Sequence, residues 1–509
     1  MAGKEFQIRS TELSTAAEGA NSVRTLPDGK PLIKYQGKLE EISAIAHHID
    51  FFTNTGLAVH YRASQSSCVF DLQQVVYKAA AAAIPLHPVL FAVPVVAETK
   101  EPYWGRLPSI DLQQAISFVK RSQPPSFDGG GRDRELDALL EKQHNTSFKS
   151  GYGTLPVWRL IILQDYGVQH QFTACFIAHH SMSDGAGLQI FHNSFQKALC
   201  DASFSPSSLH AQAEYIVLSN ANDLIAPFLE ELHPLPLPDD FPNASGAMPN
   251  EWTGSPIQLP CKTRYTSLSL PLSLMKSFTQ ECRRHKVAPT AALPSLIAKL
   301  LYNNLPPTTE ALTCNLPVSL RGDLPPKVVD GVMGNYIDAF KIKLLRSDLN
   351  VGDSSNSSAS DPMEIWIHAR KIQDETRRYF ANTSPSGQPY TNIAFFKLIP
   401  DLGAALTATL GQPRAESFEV SNMGTFSPPA KPNAASSAAV WQAGKVMISR
   451  CAYAAGGPLV VCVLSGEDNI GFGFTWQDGA IGDDVVESVV QGVKRFFDPP
   501  QEHVEEDKL

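Results

Sequence analysis

The chain has 509 residues and a mass of 55.4 kDa, more than one hydrophobic core ordinarily organises, so two lobes of about 250 residues are expected. Its 43% apolar and 18% charged residues exclude wholesale disorder. A net charge of −9 and a pI near 5.9 exclude nucleic acid as the main partner, because phosphate binding needs a basic face; a local basic pocket for one anionic cofactor is still compatible.

The N-terminus, Met1-Ala2-Gly3-Lys4-Glu5-Phe6, lacks the apolar stretch of a secretion signal, so a cytoplasmic location is expected. Residues 1 to about 33 are polar and weakly patterned. Leu39 to Ala46 has helical apolar spacing, and Asp71 to Ala83 predicts a second helix stopped by Pro85. The strand-like Val89-Leu90-Phe91-Ala92-Val93 follows. The longest apolar run, Ala79 to Ala97, is interrupted by His87, Pro85, Pro88 and Pro94, and reads as a helix end running into a buried strand, not a membrane span. Gly129-Gly130-Gly131 marks a loop and Glu135 to Gln143 a short helix. Val157 to Leu163 and Gln171 to Ala178 read as strands joined through a hairpin turn at Gln164-Asp165-Tyr166-Gly167. Trp158 and Arg159 alternate on the first of these, one facing the core and one a polar partner. After His179 to Gly185 comes a helix through Leu188, Phe191, Phe195 and Leu199.

Between about 225 and 262, Pro234, Pro236, Pro238, Pro242, Pro249, Pro256 and Pro260 break regular structure. This segment is read as a crossover between an N-terminal lobe, 1–224, and a C-terminal lobe, 263–509. The second half restarts with a strand at Thr266 to Leu270 and helices at Leu274 to Lys286 and Thr290 to Tyr302. Gly352 to Asp361 is a Ser/Asn/Asp tract, read as a surface insertion. Leu459 to Leu464 and Gly471 to Trp476 flank Ser465-Gly466-Glu467-Asp468-Asn469, a hairpin signal, and a last helix runs from Asp484 to Phe497. Strands and helices mix without regular βαβ alternation, which predicts an α+β fold. No repeat of 20–50 residues is visible. The eight cysteines (68, 175, 200, 261, 282, 314, 451 and 462) form no CxxC pair and are read as buried thiols, not staples or a zinc site.

The chemistry concentrates in His179-His180-Ser181-Met182-Ser183-Asp184-Gly185. An apolar strand delivers this heptad and a helix follows it. An imidazole with an unperturbed pKa of about 6.5 can take a proton from a hydroxyl near neutrality. Asp184 is placed to orient the turn or the imidazole, and Gly185 to relieve backbone strain. HxxxD alone is weak, since about 0.7 matches arise by chance in a chain of this composition. His503 and Asp507 also match, in an acidic tail with no strand before them, and that match is noise. Context distinguishes the first match: the doubled histidine, the strand before, the Asp-Gly after and the helix beyond. The bland alternative is a pair of satisfied histidines at a strand end.

His179 to Gly185 resembles the HHxxxDG signature of the CoA-dependent acyltransferase superfamily, which includes chloramphenicol acetyltransferase, plant BAHD acyltransferases, peptide-synthetase condensation domains and fungal alcohol acetyltransferases. Further matches run along most of the chain. Lys38-Leu39-Glu40, His87-Pro88-Val89-Leu90, Pro156-Val157-Trp158-Arg159-Leu160, Asn315 to Arg321 with Gly334-Asn335-Tyr336, and Val420-Ser421-Asn422-Met423-Gly424 resemble segments of that superfamily, several of them of its fungal branch. DFGWG, the second hallmark of the plant enzymes, is absent from the sequence, which favours the fungal branch.

The resemblance implies two pseudo-equivalent lobes, each a mixed sheet with flanking helices, and a tunnel at their interface. It implies acyl transfer from an acyl-CoA, acetyl-CoA first among them, to a small-molecule alcohol or secondary-metabolite hydroxyl, with an amine as the other possible nucleophile. His180 is the implied general base, with no covalent acyl-enzyme. Asp184 is implied as a scaffold paired with Arg321, and His179 as a structural neighbour. Ser421 or Asn422, in a loop, is the candidate oxyanion donor, although Ser-Asn before Gly is also an ordinary turn. For the CoA phosphates the densest basic cluster is Arg283-Arg284-His285-Lys286, which the C-terminal dipole of its own helix explains better than a CoA site does. No metal constellation stands out, and a monomer without transmembrane segment is expected. Two alternatives are a condensation-like enzyme taking its acyl group from an acyl carrier protein, and a degenerate member that only binds ligands. The final Asp507-Lys508-Leu509 matches a peroxisomal Ser-Lys-Leu signal only in its last two residues and is not credited.

Overall fold

The computed structural model describes residues 32–35, 37–63, 71–95, 103–123, 131–167, 170–204, 215–238, 250–349, 365–428 and 441–499. Cys68, Gly129, Gly130, the Gly352–Asp361 tract, His503 and the terminal tripeptide lie outside them. The strands of the first half are β1 (Leu32–Tyr35), β2 (Thr55–Ala63), β3 (Ala92–Val95), β4 (Tyr103–Arg106), β5 (Ser109–Asp111), β6 (Ile116–Lys120), β7 (Trp158–Gln164), β8 (Gln171–Ala178) and β9 (Ile216–Leu218). The second half supplies β10 (Thr263–Pro271), β11 (Ala311–Ser319), β12 (Ile337–Leu345), β13 (Phe418–Thr425), β14 (Trp441–Arg450), β15 (Leu459–Ser465) and β16 (Asn469–Gln477).

Two mixed sheets flanked by helices form an α+β fold. One has five strands in the order β14-β2-β8-β7-β6, the other six in the order β10-β16-β15-β13-β11-β12. The β7–β8 and β15–β16 hairpins are antiparallel, as the turn residues predict. Strand β14 belongs to the second half by sequence yet pairs with β2 from Trp441 opposite Ala63 to Arg450 opposite Thr55. The first sheet thus takes its edge from the far end of the chain, and the 225–262 segment does not separate the two sheets by itself. On its other side β14 lies against β16, where any side chain at Gly471 or Gly473 would run into the carbonyls of Val446 and Ile448.

Three local expectations are corrected. Pro88–Phe91 is a 3-10 turn and the strand begins only at Ala92, because Pro88 at the first position fixes a helical φ. Val420–Gly424 is no loop: it lies within β13, where Ser421 and Asn422 pair in parallel with Cys462 and Val463. The proline-rich crossover holds a one-turn helix, Leu229–Leu232, whose Leu229 joins Leu320, Leu324 and Tyr336 in a small core.

The helix Gly185–Phe204 buries Leu188, Phe191, Phe195 and Leu199 along one face, the i, i+3, i+4 spacing of an amphipathic helix. Phe191 stacks on Phe176 of β8 with ring centroids 3.7 Å apart. This stack packs the helix directly against the strand on either side of the heptad. All seven cysteines within the described residues are free.

Candidate active site

Residues Phe172 to Ala178 of β8 are buried, and the chain leaves the sheet at His179 and His180. The two imidazoles part company there. His179 is sealed: its Nδ1 accepts from the Ser181 N–H at 3.1 Å and its ring lies 4.6 Å from that of His47. His47 in turn meets the Tyr152 hydroxyl at 2.6 Å and accepts from the Phe148 N–H at 3.2 Å. Burial drives His47 down to about 3 and His179 well below its ordinary value, so both are neutral spacers at neutral pH.

His180 is only partly buried and lies 5.5 Å from the ring of Phe52. Burial lowers its pKa and the Arg450 cation adds to that. A hydrogen bond from the ring to the carbonyl of His180 itself, and the carboxylates of Asp184 and Glu419, pull the other way. Covalent geometry lets only Nδ1 reach that carbonyl, which favours the tautomer with the proton on Nδ1 and the lone pair on Nε2. No described side chain hydrogen-bonds Nε2.

Asp184 faces elsewhere. Its Oδ1 accepts from Gly187 N–H at 2.9 Å, and its Oδ2 accepts from Arg321 Nη1 and from Tyr336 N–H at 3.1 Å. Arg321 Nη2 also donates to Gly334 O at 3.3 Å, and the guanidinium lies 4.9 Å from the centre of the Tyr336 ring. The carboxylate is fully engaged in tying the start of the Gly185–Phe204 helix to the second half of the chain. Gly185 lets the Met423 side chain lie close against the start of the helix, since a Cβ there would push the end of that side chain aside.

Strand β13 supplies the wall opposite. Glu419 is held by Arg450 of β14 at 2.7 and 3.3 Å and accepts from Asn315 Nδ2 at 3.0 Å. Ser421 and Met423 share a face, with the Ser421 hydroxyl 3.7 Å from Met423 Sδ. Glu419, Ser421 and Met423 alternate on the side toward the histidine turn, while Phe418 and Val420 are buried in the second core. Asn422 falls on the other face and its Oδ1 accepts from Gly424 N–H at 3.0 Å.

The basic cluster is less engaged. Arg283 and Arg284 end the helix Leu272–Arg284; Arg284 meets Glu281 at 3.0 Å, and Lys286 is exposed with its carbonyl bonded by Gln373. No described contact links them to His180. On β7, Trp158 is buried and donates to Leu90 O, whereas Arg159 donates to Thr146 O and covers Phe148.

A cavity of about 270 Å³ opens at the opposite end of β8, lined by His60, Arg121, Asp133, Asp165, Lys445 and Asp468 among others. Its charges answer one another. Arg121 bonds Asp133 at 2.9 and 2.7 Å and Asp165 at 3.2 Å. Among the described residues there is no cluster of three or more His, Cys, Asp or Glu able to hold a metal, and no helix is long and apolar enough to cross a membrane.

Sequence reasoning singled out His180, Asp184 and Arg321 but not Phe52, Asn335, Glu419 or Arg450. The Asn335 side chain donates to the carbonyls of His180 and Ser181 at 2.8 and 3.0 Å. Its only signal was a Gly-Asn-Tyr match with no role attached; the Glu419–Arg450 pair, 31 residues apart, left none.

No family model matches the sequence. The probable alcohol acetyltransferase crmB of Aspergillus fumigatus is 43% identical over 473 residues, covering 92% of this chain and 99% of that protein. Among solved structures, the trichothecene 15-O-acetyltransferase TRI3 of Fusarium sporotrichioides superposes with a TM-score of 0.64 at 11% identity, over 94% of this chain and 99% of the other. The first condensation domain of the CDA synthetase does so with a TM-score of 0.52 at 12% identity, over 92% and 97%.

Proposed function

The chain belongs to the fungal alcohol acetyltransferases, acyltransferases of the chloramphenicol-acetyltransferase and condensation-domain fold, and from that premise we propose that it transfers an acetyl group from acetyl-CoA to the hydroxyl of a small alcohol or secondary metabolite. One observation carries the reading: His180 keeps Nε2 unbonded at the strand exit while Asp184 is wholly occupied by Arg321, Tyr336 and Gly187.

In this reading His180 Nε2 takes the hydroxyl proton as the alcohol oxygen attacks the thioester carbonyl carbon. The tetrahedral intermediate collapses with cleavage of the carbon–sulfur bond, and the imidazolium returns the proton to the departing thiolate. The ester and free CoA leave, and no acyl group is ever attached to the protein. Positioned proton transfer contributes about 10²–10⁴-fold, and holding both reactants together contributes further. The lowered pKa of His180 suits the role, because a neutral imidazole is the form that accepts a proton. Ser421 is the oxyanion donor we favour over Asn422, since it shares the face of Met423 and Glu419. Asp184 and Arg321 act by holding the turn.

The test is purified chain with acetyl-CoA and a panel of alcohols, read by thiol release and product mass. His180→Ala should lower turnover by about 10²–10⁴-fold. Turnover with acetylated carrier protein but not acetyl-CoA would move the donor to the condensation type. Acetylated intact protein in the absence of alcohol would overturn direct transfer, and an amide product in place of an ester would redefine the acceptor.

A further inference from the structure

We propose that Asn335 is a positioning residue for the transfer: by holding the main-chain carbonyl of His180 from the other half of the chain, it fixes the imidazole that acts as base. The inference rests on the reading of His180 as that base. Asn335 lies in the segment before β12 and is 2% exposed. Its Nδ2 donates to His180 O at 2.8 Å and to Ser181 O at 3.0 Å, which uses both amide hydrogens. The opposite orientation of the amide would set an oxygen against two carbonyl oxygens, so chemistry fixes which way it points. Its Oδ1 is buried with no partner among the described residues, a cost set against the two bonds made by the nitrogen.

The carbonyl that receives Asn335 is the one that receives the His180 ring. Three groups are therefore in series: amide, carbonyl, imidazole. The carbonyl keeps the proton on Nδ1 and the lone pair on Nε2, and the tautomer of a catalytic histidine is set by the bond its other nitrogen makes. A carbonyl free to tilt releases the ring to the tautomer protonated at Nε2, which has no lone pair where the alcohol arrives. The flanking residues fasten the same turn by other atoms. Gly334 O accepts from Asp184 N–H at 3.2 Å, and Tyr336 N–H donates to Asp184 Oδ2 at 3.1 Å. Of the three, Asn335 is the one whose described bonds reach the carbonyl that holds the ring.

The test uses the full chain with ¹⁵N-histidine labelling, the His180 ring signals being assigned by their loss in His180→Ala. Asn335→Ala should lower kcat about 10- to 100-fold while leaving both KM values within about threefold. The Nε2–H tautomer of His180 should appear in its spectrum. The ring–carbonyl bond raises the pKa of His180 against the lowering by burial, so losing it should move the acid limb of kcat/KM to lower pH. The charged groups around the ring, Arg450, Glu419 and Asp184, are unchanged in the variant, as is the neighbouring His179. Asn335→Ser, which keeps one donor, should fall between wild type and alanine on all three readouts. A folded Asn335→Ala protein with an unaltered tautomer and acid limb overturns the proposal, whatever its rate. Should the alanine variant not fold, Asn335→Ser with wild-type tautomer, acid limb and kcat does the same. The tautomer reads out without turnover, so a wild type inactive on every alcohol would sink the acetyltransferase reading and leave the Asn335 linkage separately decided.

Discussion

The two ends of strand β8 each present a histidine, an aspartate and an arginine, and they treat them in opposite ways. At the Gln171 end, His60 lies 3.4 Å from Thr173 Oγ1 and 3.8 Å from Asp165, which is itself held by Arg121. Arg121 also takes Asp133, so carboxylates and guanidinium close on one another around a roomy cavity, with His60 against Thr173 in its wall. At the Ala178 end the aspartate and arginine close on each other and leave the histidine out of the pair. Cavity size and charge density would select the first end; unfilled bonding capacity selects the second. Catalytic groups need an atom free to react, and a network that satisfies itself has none to offer.

Exchanging the histidines tests this contrast most severely. His180→Ala should reduce kcat by about 10²–10⁴-fold, whereas His60→Ala should stay within about threefold. Equal losses would mean that the two ends work as one site. Next in size is the oxyanion. Ser421→Ala should cost about 10²–10³-fold in kcat with KM little changed, and Asn422→Ala less than tenfold, because the two side chains leave β13 on opposite faces. The reverse order would place the donor on the face bearing Val420 and undo the geometry assigned to that wall.

How much of this was legible beforehand follows from the range of the interactions. The β7–β8 and β15–β16 hairpins and the helix after Asp184 are written locally, in period-2 and period-3.6 patterns with Asp-Gly or Gly-rich punctuation; the hairpin strands formed within a residue or two of expectation, and the helix through the four apolar residues expected of it. His180 and Asp184 were visible because they lie four apart in a heptad with strand before and helix after. Arg321 was supplied by resemblance, since 137 residues separate it from Asp184 and no local pattern links them. The placement of β14 on the first sheet was invisible for a related reason. A strand buried on both faces has no alternation to say which neighbour it will choose, and its partner β2 lies almost 400 residues earlier. Proline misled once in the other direction, at Pro88, where a helical φ was mistaken for the start of a strand.

The arginines at the two ends sharpen the comparison by separating stability from rate. Arg121 and Arg321 both face buried carboxylates, with side chains 3% and 14% exposed. Removing either leaves uncompensated charge, so Arg121→Ala and Arg321→Ala should each lose about 3–5 kcal/mol in urea unfolding. At a temperature where both remain folded, only Arg321→Ala should lower kcat, since its partner Asp184 anchors the turn that carries His180. A parallel fall in kcat for Arg121→Ala would mean that the far network also sets the active end.

The smallest effect is expected farthest from both. Arg284 is 73% exposed on its side chain and lies 3.0 Å from Glu281, one turn back on the same helix. Arg283 and Lys286 are exposed beside it, at a helix C-terminus where cations are favoured whatever the ligand. Pairs of this kind are screened by solvent and hold little free energy in water. Replacing Arg283, Arg284 and Lys286 together by glutamine should therefore raise KM for acetyl-CoA by less than about threefold, with a small drop in Tm from the lost helix-end charges. A tenfold rise in that KM at constant kcat would carry the CoA phosphates to this helix. The active end would then extend across the second sheet, and the contrast between the two ends of β8 would describe only half of the site.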